Sequence, residues 1–142
     1  MSLMSTLTKP ILFRHAATLL AQLLASARPA DKQIEQYFRA RRELGLRDRG
    51  WIAETVYGVL RRRRFLEHLS TCVEQQDASV LVAGFLASAR GYASRALSEA
   101  GYTGDAIALT TALRTLDRGA LPLGVQFNLP DELLSHLMAQ YG

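Results

Sequence analysis

Apolar residues recur at steps of three and four along most of this chain, and that spacing predicts helices. Ile11, Leu12, Ala16, Leu19, Leu20, Leu23, Leu24 and Ala27 form one such stripe over residues 10–27. Pro10 suits a first turn, where its missing N–H costs nothing. Arg28-Pro29 ends the run, because the residue before proline is pushed out of the α region. A second helix is expected over residues 31–44, with Asp31 as N-cap and Ile34, Tyr37, Phe38 and Leu44 turned inward. Gly45 stops it. A third begins near Asp48 as cap, with Ile52, Val56, Val59 and Leu60 inward and Trp51 and Tyr57 flanking. Gly58 in its middle costs about 1 kcal/mol relative to Ala, so another helix is expected to approach closely there. Phe65, Leu66, Leu69, Cys72 and Val73 make a further stripe. A bend or break near the preceding arginines is expected, at a position the pattern does not fix.

Residues 80–89 are almost wholly apolar, so this helix is expected at the centre. Gly91 interrupts it, and residues 94–100 continue helically. Residues 101–104 form a loop, and residues 105–116 another amphipathic helix through Ile107, Leu109, Leu113 and Leu116. Residues 118–129 hold Gly119, Pro122, Gly124 and Asn128 and read as an extended connection. Pro130-Asp131-Glu132 opens a last helix, with proline and two acids in its first turn. No two-residue alternation, repeat or low-complexity tract interrupts this pattern. The expected architecture is an all-α bundle of about seven helices. Residues 1–9 read as a lead-in that includes an expression remnant, Met1-Ser2-Leu3. Residues 10–118 form the domain, and residues 119–142 a connection with the first helix beyond it.

Composition narrows the function classes. A chain of 142 residues is long enough to bury one core, and 49% apolar with 21% charged residues describes an ordinary globular domain. The single cysteine, Cys72, excludes a disulfide framework or a cysteine-based metal site within one chain and fits the reducing cytoplasm. No apolar run reaches the roughly 20 residues that span a bilayer, and the N-terminus lacks a signal peptide's order. No membrane role is expected.

Charge changes the picture more. Residues 39–64 hold nine of the seventeen Lys and Arg residues against three acids, Glu43, Asp48 and Glu54, a net of +6. The rest of the chain carries −2, so this one segment sets the overall +4. An anchored helix with arginines at its ends suits a polyanionic partner. Arg39, Arg41, Arg42, Arg47, Arg62, Arg63 and Arg64 are the candidate phosphate ligands, while Asp48, Arg49 and Arg61 are assigned to a structural ion pair or cap. Ser70-Thr71-Cys72 is no catalytic motif, because Cys72 is expected on the apolar stripe and a nucleophilic thiol needs access and a lowered pKa. His15, His68 and His136 lack metal-ligand spacing. Gly101-Tyr102-Thr103-Gly104 follows no strand and is no phosphate loop. Trp51, Tyr37, Tyr57 and Phe65 lie on or beside buried stripes, whereas base stacking needs exposed rings.

Three stretches carry a family resemblance. Arg14-His15-Ala16-Ala17-Thr18-Leu19-Leu20 matches an R-x-x-A-x-x-L pattern. The run from Leu46-Arg47-Asp48-Arg49 through Tyr57-Gly58-Val59-Leu60-Arg61 matches a signature of Asp-Arg followed by Tyr-Gly-Val-Leu-Arg. Asn128-Leu129-Pro130-Asp131-Glu132-Leu133 and Gln140-Tyr141-Gly142 match an exit helix, with Glu132 at that motif's Trp. Together these resemble the NusB family, and most closely the NusB-like N-terminal domain of the Sun/Fmu group of ribosomal RNA cytosine-5 methyltransferases. The resemblance implies that the domain positions ribosomal RNA, with Arg14 extending the basic patch. It also implies that a separate C-terminal methyltransferase domain, a further partner, binds S-adenosylmethionine and does the chemistry with its own cysteines. The chain then reads as a piece of a longer protein or a stand-alone relative. By itself it is expected neither to methylate nor to hold a cofactor. Two other readings stay open: an antitermination-type adaptor that binds RNA and a ribosomal protein, and a helical interaction module without a nucleic-acid role.

Overall fold

The computed structural model describes residues 9–116. Seven α-helices and no strand lie within them. In chain order they are α1 (Pro10–Leu24), α2 (Ala30–Arg39), α3 (Leu46–Arg61), α4 (Arg63–Cys72), α5 (Ala78–Arg90), α6 (Ser94–Glu99) and α7 (Ala106–Thr115). The all-α expectation holds. The helix expected from residue 130 lies outside the described residues.

The apolar segment does take the centre. Every residue of α5 from Val80 to Ala87 is buried, and the helix packs against α1, α3, α4, α6 and α7. Its ends follow from local chemistry. Asp77 caps the start by accepting a hydrogen bond from the Val80 N–H at 3.1 Å. Gly91 closes the end in the left-handed conformation at φ 74°, which glycine adopts without a Cβ penalty. The Tyr92 N–H then returns to the Leu86 carbonyl at 3.0 Å. Burial pulls the Asp77 pKa up, but hydrogen bonds from Ser79, Val80 and Gln75 outweigh it and leave the carboxyl below its ordinary value.

Helix α3 lies against both α1 and α5. Ile52, Val56 and Val59 are fully buried. Gly58 explains itself here: a Cβ at that position would sit 2.3 Å from the Phe85 ring of α5, so the expected close approach is present. The break among the arginines falls at Arg62, whose φ of −116° and ψ of 22° separate α3 from α4.

Some expected boundaries and faces are different. Helix α1 stops at Leu24, not at residue 27. The Arg28 N–H donates instead to Ser26 Oγ at 3.1 Å, fixing the turn that follows. Helix α2 runs from Ala30 to Arg39, with Pro29 in the cap position and Asp31 inside the first turn. It does not continue to residue 44, because the Arg41 N–H bonds the Phe38 carbonyl and the Leu44 N–H the Arg41 carbonyl. That turn delivers Leu44 to the core at 6% exposure. Gly45 therefore precedes α3 as its cap residue, and Asp48 sits in the first turn. Cys72 is exposed, since α4 buries Phe65, Leu66, Leu69 and Ser70. Ile107 is also exposed, at 70%, because α7 buries Ala106, Leu109 and Thr110.

Candidate nucleic-acid interface

The outer face of α3 is built by its inner one. Burying Ile52, Val56 and Val59 turns the residues opposite them to solvent. Arg47, Glu54 and Arg61 are spaced by seven, almost two helical turns each, so they form one stripe. All three are exposed, with Gly50 and half-buried Tyr57 beside the stripe. At 1.5 Å per residue the stripe is about 21 Å long. Arg47 and Arg61 take no ion-pair or hydrogen-bond partner among the described residues. Arg62, at the break that follows, is likewise exposed and unpartnered among them. The centre differs: Arg90 Nη2 of α5 lies 3.9 Å from Glu54 Oε2, with the Arg90 guanidinium 5.6 Å from the Phe85 ring centroid. The stripe is thus positive at both ends and balanced in the middle.

The other candidate arginines divide by what they touch. Arg39 pairs with Glu35 one turn back, and Arg63 with Glu67 at 3.1 Å. Such exposed pairs are weak and yield readily to a phosphate. Arg42 and Arg14 are exposed, with no partner among the described residues. Arg64 is half-buried and already engaged. Arg41 is held by the fold: its guanidinium stacks 3.6 Å from the Tyr37 ring centroid, and Nη1 donates to the Tyr37 carbonyl at 3.3 Å. Arg49 is half-buried. Its Nη2 donates to the Phe38 carbonyl at 3.5 Å, and its guanidinium lies 5.8 Å from the Phe38 ring centroid. Its Nε is buried without a partner among the described residues.

Neither Asp48 nor Arg61 forms a side-chain cap or ion pair. They stand in the first and last turns of α3, where each sign suits the helix dipole. The fold also gathers Arg39, Arg42 and Arg49 with Glu35 and Phe38 around a shallow groove of about 380 Å³. A second groove of about 370 Å³ on the other flank of α2 is lined by Arg28, Arg41, Gln33, Gln36 and Tyr37. Tyr37 is buried at 4% exposure, and its hydroxyl meets His15 Nδ1 at 2.7 Å. Burial raises its pKa, Arg41 lowers it and Glu43 raises it, with the net shift upward. It stays a neutral phenol that supports Arg41.

Sequence reasoning missed Arg28 and Arg90. Both lie outside the basic segment and reach the site only through the fold. Arg28 Nη2 donates to Gln36 Oε1 at 2.9 Å, and Arg90 precedes the glycine that ends α5. Among the described residues no group of His, Cys, Asp or Glu is placed to hold a metal ion, and no helix is long and apolar enough to cross a membrane. No protein-family model, curated protein or solved structure matches this chain.

Proposed function

We propose that this chain is a helical RNA-binding domain that grips phosphates along the outer face of α3, of the NusB-like kind that serves ribosomal RNA cytosine-5 methyltransferases. One observation carries the RNA reading: Arg47, Arg61 and Arg62 are exposed and unpartnered among the described residues, on and beside a helix whose opposite face is locked in the core. Guanidinium groups held this way give backbone affinity without base selection. The methyltransferase context rests on the sequence resemblance alone. The resemblance assigns S-adenosylmethionine to another domain. The role of this domain in that reading is to hold ribosomal RNA.

The test is filter binding of a ribosomal RNA fragment at two salt concentrations. Wild type is expected to lose affinity steeply as salt rises. An Arg47→Glu/Arg61→Glu/Arg62→Glu variant with an unchanged helical spectrum is expected to bind at least about tenfold more weakly. Affinity independent of salt, or equal in wild type and variant, overturns the assignment.

A further inference from the structure

The arrangement of charge on α3 says which form of RNA fits it. A single strand needs a continuous basic track and exposed aromatic rings on which its bases stack. The α3 stripe offers neither. None of the described aromatic residues is exposed. Phe38 and Tyr57 are half-buried, and the rest are buried. The Phe38 ring is further occupied, edge-on to Tyr37 at 6.0 Å, with the Arg49 guanidinium 5.8 Å from its centroid. The basic track is interrupted as well, since Glu54 stands midway between Arg47 and Arg61 and faces Arg90 at 3.9 Å.

What remains is two positive ends about 21 Å apart on one continuous helix, with a balanced centre. The backbone spacing of the two ends is fixed, because Ile52, Val56 and Val59 anchor the helix at 0% exposure. A rigid pair of contacts with a neutral gap matches a rigid polyanion whose two backbones border a groove. A flexible strand gains nothing from such spacing. Resting on the RNA reading above, we infer that the α3 stripe docks across a groove of double-helical RNA. Arg47 meets one phosphate backbone, and Arg61 with Arg62 meets the other. Recognition is by shape and phosphate, as duplex RNA generally demands.

The experiment titrates the full chain and its Arg47→Gln/Arg61→Gln variant with two probes each: an RNA duplex of about 16 base pairs and a uridine strand with the same number of phosphates. The duplex is expected to bind about tenfold more tightly than the strand, and its salt slope to fall by about 1 for each arginine removed. The double variant is expected to lose the preference for duplex. Tyr57→Leu, which keeps an apolar side chain and removes the stacking ring, is expected to bind duplex as wild type does. A uridine strand bound as tightly as the duplex, or a preference that survives the double variant, overturns the duplex assignment and leaves the RNA reading standing. Binding of neither RNA at low salt overturns the RNA reading, and this inference with it.

Discussion

The two faces of α3 share sixteen residues and follow different rules. On the inner face a residue is judged by volume: Ile52, Val56 and Val59 are fully enclosed, and Gly58 is small because Phe85 lies against it. On the outer face a residue is judged by charge and freedom: Arg47 and Arg61 touch no partner among the described residues, and Glu54 meets Arg90. The arginines of the α2–α3 corner cross this division. Arg41 on Tyr37 and Arg49 on the Phe38 carbonyl are charged residues used as packing. Charge counted along the chain therefore overstates the charge offered to a ligand, and substitutions should separate the two kinds.

The largest effect belongs to the inner face. Ile52→Ala removes a fully buried side chain and is expected to cost about 3 kcal/mol in urea unfolding, the range of large-to-small core changes. The affinity of the folded fraction for RNA should stay within twofold of wild type, a range of about 0.4 kcal/mol. Gly58→Ala is a smaller break of the same kind. Pressing a methyl into the Phe85 ring costs about 1–3 kcal/mol, and the better helix propensity of Ala returns about 1 kcal/mol. A net loss of about 1 kcal/mol is expected. A stabilised Gly58→Ala protein would show that the ring gives way and that the close contact does not hold the helix pair.

The sequence made the inner face readable because volume leaves a periodic trace. The apolar run of α5, the stripe of α3 and the odd glycine at position 58 all carry their reasons locally. The corner between α2 and α3 was not readable in the same way. Nothing between Arg39 and Leu44 breaks a helix by propensity, and the chain turns there because Leu44 reaches the core while Arg41 lies flat on Tyr37. A three-residue step from Leu69 points to Cys72, but the four-residue step to half-buried Val73 is the one that packs; in α7 the buried face runs through Ala106, Leu109 and Thr110 and leaves Ile107 outside it. At the candidate site the arginines themselves were visible. Which of them are free, and that Arg90 of α5 answers Glu54, depend on tertiary placement that no local pattern encodes.

Arg49 sharpens the comparison from the middle ground. Arg49→Met keeps the apolar stem but loses the contacts to the Phe38 carbonyl and ring. A stability loss of about 1 kcal/mol is expected, in keeping with one modest hydrogen bond and a distant cation–ring contact. RNA affinity and its salt slope should stay unchanged. A salt slope reduced by about 1 would move Arg49 to the outer, ligand-facing group.

The smallest effect is the most discriminating. Glu54→Gln removes the one carboxylate on the stripe and releases Arg90 from its 3.9 Å partner. Stability should hardly change, since exposed pairs contribute little. Affinity for RNA should rise, by about twofold for a duplex, because a negative charge has left a polyanion-facing surface. The gain should be larger for a single strand, about fivefold, since a positive centre joins the two ends into the continuous track a strand can follow. Equal gains for both would mean that Glu54 acts only through net charge. A loss of affinity would mean that the Glu54–Arg90 pair shapes the surface that RNA meets. A structural surface with no ligand predicts no change for either probe, so this variant separates a face that merely carries arginines from one that uses them.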